Sequence, residues 1–405
     1  MIAMAKRSAS VFEAVIGSFG ATAISIGGII GSGIFFILGM AAGAAGSGVI
    51  ISLIIAGIIA ILTALSFATL GSKITKEGGE YQFVYAAFGP AIGFFAGLLW
   101  ISATAIAGVT VSIAFAGYLT TLVPFAPVNV VAAMACILFM LIDVVGIRFS
   151  SKVNSVLVVL KVGVLMLFIA LTLPHVNPSN FSNPLSQGGN GILTAAFLIF
   201  FAYAGFGKIT AASEEVKDAA RTVPRAIIFS ISLATLLYIL ATISSVGAVG
   251  ASALASPAFR NAPLAGVMLS IGSSWGFFAI LIGALTATSS VLLIQMLGLS
   301  RSIYAMSMNG QLPKFLSELH PRFKTPYRAE IPIGLLMAAA ALLLSTRTII
   351  SLTSFGILGY YAIINLAALK MKDQRGKFEV PNVVPIIGFA LCVLLIAFAA
   401  YSILA

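Results

Sequence analysis

Two stretches of this 405-residue chain interrupt the apolar runs that contain them. Residues 24–35 read ISIGGIIGSGIF, with five Ser or Gly residues between Gly27 and Gly33. Residues 200–215 read FFAYAGFGKITAASEE, with Gly205 and Gly207 bracketing Phe206 and Tyr203 just upstream. Each glycine inside a helix costs about 1 kcal/mol relative to alanine, so both places are cheap to unwind. An unwound turn frees N–H and C=O groups that an intact helix consumes. Half-helix N-termini suit a carboxylate, and freed carbonyls suit an ammonium or another cation. Gly31, Ser32 and Gly33 would offer such N–H groups and one hydroxyl. Tight packing by small residues is the plainer explanation of one glycine cluster, and Gly27 and Gly31 have that spacing. The second cluster favours a binding site.

A third feature is a lone charge. Lys161 stands near the middle of SVLVVLKVGVLMLFIALTL. Either interface of a hydrocarbon core of about 30 Å would be roughly 15 Å away, too far for its stem to reach. A charge there costs about 3 kcal/mol or more, and such residues usually face a cavity and carry function. The available acceptors are carbonyls near Gly27 and Gly28 and the hydroxyls of Thr288, Ser289 and Ser290 in LTATSSVLL. Two roles stay open for Lys161: a group that loses and regains a proton, or a fixed tether between helices. Lys208 follows the second interruption, and Glu215 lies seven residues on, which in an α-helix is the same face. A salt-bridged gate element explains that pair without transport chemistry.

The elements that must position these groups are membrane helices. The chain is 60% hydrophobic and 8% charged, against about 25% charged for a soluble domain. Eleven apolar segments are expected, at roughly 12–38, 44–71, 91–121, 128–147, 153–173, 190–213, 224–250, 270–303, 330–346, 348–369 and 382–404. Helices are the form lipid permits. The net charge of +11 reflects topology rather than nucleic acid, because Lys and Arg gather in alternate loops. Their distribution puts the N-terminus, with Lys6 and Arg7, in the cytoplasm and the C-terminus outside, in a plasma (inner) membrane. The opening MIAMAKRSASVF has no cleavage site, so the first apolar run is expected to remain as a span. Residues 76–90 are expected as an interfacial helix with an aromatic belt. Cys136 and Cys392 lie within apolar runs and are read as buried thiols. Trp100 and Tyr118 are read as packing or interfacial aromatics.

Segments 1 and 6 each open a block of five spans. An odd number of helices per block inverts the second, and paired interruptions in inverted repeats mark a secondary transporter's midplane site. The expected division is a first repeat at 1–173, an outer loop at 174–189, a second repeat at 190–371 and a final helix at 372–405.

GGIIGSGIF, EGGEYQFVYAAFGPAIGFFAGLLW and FFAYAGFGKITAASEEVKDAARTVPRAI, in this order, resemble the amino acid–polyamine–organocation superfamily, most closely its proton-coupled amino acid transporters. The resemblance implies an all-α membrane protein with a five-plus-five inverted-repeat fold, broken helices 1 and 6, and a substrate held at the breaks. Eleven segments stand here against the family's usual twelve, the difference lying outside the repeats. By resemblance the substrate site takes in Ile29, Gly31, Ser32 and Gly33, with the carboxylate on the last three. The backbone around Phe201, Ala202 and Tyr203 faces the ammonium, and Phe206 or Tyr203 caps the side chain. Lys161 with Gly27, Thr288, Ser289 and Ser290 resembles the superfamily's sodium site with an ammonium in place of the ion.

The resulting expectation is a proton-coupled symporter of neutral amino acids of broad range, working by alternating access. The membrane core offers two lysines and no acid, which argues against polyamines. A sodium-independent exchanger with a structural Lys161 is the alternative. No enzyme constellation, metal cluster or cofactor is expected beyond the coupling proton, and the partners are the amino acid and membrane lipid, not nucleic acid.

Overall fold

The computed structural model describes residues 14–75, 79–123, 125–146, 151–374 and 376–404. The expected roles of Lys6, Arg7, Lys76 and Arg148 in orientation lie outside the described residues. The structure is 82% helical and has no strand among the described residues. Each of the eleven apolar segments has a helical counterpart there.

The first segment comprises α1 (Ser18–Ile29), a π-helical turn (Gly33–Ile37) and α2 (Leu38–Ala45). Next come α3 (Val49–Lys73), α4 (Gly79–Phe88), α5 (Pro90–Thr120), α6 (Val128–Val144) and α7 (Ser151–Thr172). The sixth segment comprises α8 (Gly188–Phe200) and two 3-10 stretches, Phe201–Tyr203 and Phe206–Glu215. Beyond it lie α9 (Ala219–Val249), the short α10 (Ala251–Leu254) and α11 (Pro263–Ser270), and α12 (Ser274–Met308). Helices α13 (Tyr327–Leu343), α14 (Thr346–Lys370) and α15 (Val383–Leu404) complete the chain.

Local signals fix the ends. Gly46, at φ 60°, stops α2 with a backbone that favours glycine. Pro90 starts α5, where a missing N–H costs nothing. Ser273 caps α12 by accepting from the Gly276 N–H at 3.2 Å, and Ser345 does the same for Thr348 on α14. Large apolar side chains such as Phe95, Leu343 and Leu394 remain exposed on the outer surface, as a lipid-facing surface requires.

Helix α4 departs from the interfacial position expected for residues 76–90. Tyr81, Phe83 and Val84 are buried, and Glu80 is 4% exposed. The helix packs against the end of the sixth segment, with Phe83 edge-on to Phe67 of α3 at 6.1 Å. Four aromatics in ten residues give α4 enough apolar area to leave the surface. The interior therefore does contain an acid, brought in by a loop helix. Asp143 of α6 and Glu330 of α13 are also buried, near the ends of their helices.

The chain ahead of α1 is tied to the end of the sixth segment by main-chain bonds. Ile16 N–H donates to Glu215 C=O at 2.8 Å, and Lys217 N–H donates to Ile16 C=O at 2.9 Å.

Candidate functional site

Both glycine clusters are chain breaks, and the two breaks touch. Helix α1 ends at Ile29, and Ile30 turns to extended backbone (φ −76°, ψ 99°). The π-helical turn from Gly33 resumes the segment; such turns are rare and concentrate at functional sites. In the sixth segment Ala204 is extended and Gly205 takes φ 107°, a conformation that L side chains rarely adopt. A Cβ on Gly28 would lie 2.5 Å from the Gly205 carbonyl oxygen. A Cβ on Gly33 would overlap Ala202, and one on Gly31 would lie 2.6 Å from Val291 Cγ2. The glycines thus weaken the helices and also let the broken ends meet.

Side chains pin this crossing. The Tyr238 hydroxyl of α9 is within donating distance of Ile29 C=O (2.9 Å) and Ala202 C=O (3.1 Å), one carbonyl from each break. Ser25 donates to Phe206 C=O at 2.9 Å. The Ile29 and Ala202 carbonyls face the breaks, where the helical repeat of donors stops, and a hydroxyl from another element stands in.

Beside the crossing is a narrow cavity, about 30 Å³ in volume. Ile29, Gly31, Ser32, Gly33 and Phe201 line it, together with Trp100 and Thr104 of α5, Lys208, Gln295 of α12 and Ile357 of α14. Ala202, Tyr203 and Phe206, expected at the substrate, stand behind this wall. Ala202 faces a smaller cavity against α3, and the Tyr203 hydroxyl donates to Leu53 C=O at 3.1 Å. Phe206 packs between Phe67 (5.2 Å) and Tyr361 (5.3 Å), forming an aromatic layer toward α4. The carbonyls of Phe201 and Ala202 are already engaged, by Ala204 N–H and Tyr238.

Trp100, Thr104 and Gln295 were not singled out as site residues from the sequence. Trp100, read there as packing, does both: it lines the cavity and stacks on Tyr360 at 4.8 Å. Tyr118 is structural, donating to Phe35 C=O at 2.6 Å.

Lys161 of α7 is fully buried. Its Nζ donates to Gly27 C=O at 2.7 Å and to Ser290 Oγ at 3.3 Å. Gly27 C=O is available because its helical donor would be Gly31 N–H, beyond the break. Ser290 gives its own proton to Ala287 C=O (2.9 Å), leaving its lone pairs for the ammonium. Thr288 turns to its own helix, donating to Ala284 C=O at 2.7 Å, and Ser289 is half-buried.

Lys208 lies elsewhere than its spacing to Glu215 suggested. Residues 206–215 form 3-10 turns interrupted by a kink at Ala212, so the α-helical repeat that puts Lys208 and Glu215 on one face does not hold. Its Nζ donates to Gln295 Oε1 at 3.4 Å, and Glu80 is the nearby charge acting on it. Glu80 lies against Gly207, and neither of its carboxyl oxygens has a hydrogen-bond partner among the described residues. Burial pushes the Glu80 carboxyl up to about 8, with the Lys208 charge opposing the rise.

An all-helical membrane bundle whose two broken helices meet beside a buried cavity has the architecture of a small-solute transporter. The family described as Amino acid permease matches residues 16–404, and the chain belongs to it, within the amino acid–polyamine–organocation superfamily. The chain is 33% identical to a branched-chain amino acid permease of Bacillus subtilis, over 94% of this chain and 87% of that protein. It is 29% identical to a methylthioribose transporter of the same organism, over 93% and 86%. A mouse protein named cationic amino acid transporter 4 is 29% identical over 87% of this chain but only 59% of its own length. The protein is a multi-pass membrane amino acid transporter, and nothing in this kinship points to an enzyme.

Proposed function

We propose that the protein is a proton-coupled symporter of neutral amino acids that works by alternating access. The observation that carries this reading is the bond from the buried Lys161 to the carbonyl that the first break releases. The break and the lysine are thereby one mechanical unit. A solute carboxylate received by the N–H groups of Gly31, Ser32 and Gly33 would bear on the same turn that Lys161 holds through Gly27. Loss of the lysine proton would weaken that hold and let α1 move relative to α7. Rocking of one five-helix repeat against the other, 1–173 against 190–371, would then open the site to alternate sides.

The substrate reading rests on the cavity wall. Trp100, Phe201, Val291 and Ile357 give it apolar area, and no carboxylate among the described residues lines it. The likeness to a branched-chain permease supports an apolar side chain. The orientation proposed has α4 and the chain before α1 on the cytoplasmic side of the plasma membrane, where Lys73, Lys217, Arg221 and Arg225 gather.

A sodium-independent exchanger is favoured by one feature. The Lys161 bonds join α7 to both α1 and α12, as a permanent tether would. The test is uptake of labelled neutral amino acids into sodium-free proteoliposomes with an imposed pH gradient, for wild type and Lys161→Ala. Accumulation driven by an alkaline interior and abolished in the variant is expected. Exchange that ignores the gradient and survives the substitution would replace the symporter with the exchanger. Absence of any flux from folded protein would remove both.

A further inference from the structure

One charged side chain lines the cavity, and the coupling scheme above does not use it. Lys208 follows the break in the sixth segment, in a 3-10 stretch that turns it toward α12 rather than along its own helix. One donor of its ammonium goes to Gln295 Oε1. Gln295 is held in turn, its Nε2 donating to Thr104 C=O on α5. The amide is therefore oriented from both ends, with its oxygen toward the lysine. Lys208, Gln295 and Thr104 all line the cavity, so they form one polar corner, apart from Ser32 and the first break.

The opposing charge lies on the other side. Glu80 packs against Gly207 and is not part of the cavity lining. Seen from within the cavity, the lysine comes first and the carboxyl behind it. Protonation of Glu80 would weaken the counter-charge and leave the lysine in place. With the lysine protonated, the corner presents a positive charge and N–H donors.

We propose that Lys208 is a specificity-determining residue that turns cationic amino acids away from the cavity while accepting neutral ones. The inference rests on the reading that the cavity holds an amino acid, and it adds a rule for the side chain. A zwitterion anchored at the breaks would direct its side chain among Trp100, Ile357 and the Lys208 corner. A second ammonium or guanidinium about 6 Å from the Lys208 charge would be disfavoured by on the order of 100-fold at an effective dielectric constant near 20. Where Glu80 is ionised, above about pH 8, its charge behind reduces that figure, and about tenfold or more should remain. A side chain bearing a hydroxyl or carboxamide oxygen meets donors instead.

The test compares near-isosteric pairs differing in charge: L-arginine with L-citrulline, and L-lysine with L-norleucine. Binding to the purified full-length protein in detergent is measured by calorimetry, for wild type, Lys208→Met and Lys208→Arg. The readout is the ratio of dissociation constants within each pair, which a general loss of affinity leaves unmoved. Wild type should prefer the neutral member by tenfold or more. Lys208→Met should bring that ratio at least severalfold closer to one, and Lys208→Arg should keep it. An unchanged ratio in Lys208→Met, or a wild type that binds both members alike, overturns the proposal. Should the single variant unfold because Glu80 is left without its neighbour, Lys208→Met combined with Glu80→Gln removes both charges and gives the same reading. Wild type that is folded yet binds no amino acid, neutral or cationic, defeats the amino acid site itself. That result is distinct from tight neutral binding with an unmoved ratio.

Discussion

Gly28 and Gly205 meet backbone to backbone, one from each interrupted segment, with the carbonyl of each in the space a side chain of the other would occupy. Gly28→Ala would place a methyl 2.5 Å from the Gly205 oxygen. Because that obstacle is main chain, it cannot rotate away. The expected cost is about 1–3 kcal/mol from overpacking. Uptake should fall well beyond the loss of folded protein, since the crossing also shapes the cavity. Thermal unfolding in detergent and proteoliposome uptake, measured together, check this; a variant with wild-type behaviour in both would contradict the close approach.

Tyr238→Phe removes the hydroxyl that serves Ile29 C=O and Ala202 C=O. The carbonyl that holds its single proton would lose its donor, at about 1–3 kcal/mol if left unsatisfied. Lower thermal stability and slower transport are expected, with the protein still folded, because phenylalanine fills the same space. An unaltered melting profile would indicate that another donor replaces the hydroxyl.

Glu80 gives the protein a pH dependence whose sign follows from its burial. The folded protein holds the Glu80 proton up to about pH 8, whereas the unfolded chain releases it near 4.5. The native state therefore binds more protons between these values, and stability falls as pH rises across that interval. Above about 8 the contribution is gone. Glu80→Gln should flatten this part of the profile and raise stability at pH 8.5 relative to wild type. Thermal unfolding of both proteins from pH 5 to pH 8.5 tests it; parallel profiles would rule out Glu80 as the source.

Trp100→Ala enlarges the cavity next to Ile357 and removes the ring that stacks on Tyr360. Binding of small neutral amino acids should weaken by roughly tenfold, while bulky aromatic ones lose less or gain. Competition among alanine, leucine and tryptophan measures the change. A uniform loss across all three would assign Trp100 to folding rather than to the cavity.

The sequence made some of this geometry legible for definite reasons. Glycine clusters announce breaks because few other residues tolerate Gly205 at φ 107°, and a lone lysine in an apolar run must find acceptors. Gly27 and Ser290 were thus open to inference as partners of Lys161. Trp100, Thr104 and Gln295 were not. The polar residues of α5 and α12 do not gather on one side, so periodicity indicates no inward face, and convergence on the cavity depends on how each helix is rotated. An α-helical repeat pairs Lys208 with Glu215, but the chain there runs in 3-10 turns with a kink at Ala212. Glu80 was placed at the surface because its loop position outweighed the aromatic content of α4.

The bonds between Ile16 and residues 215–217 use only main-chain atoms. They form a clasp that replacing side chains by alanine does not undo, since every residue but proline carries the same N–H and C=O. Any movement that parts the start of α1 from the end of the sixth segment must open this clasp, yet a mutational scan would pass over it in silence. Only a change of backbone, such as proline at position 16 or 217, would make it speak.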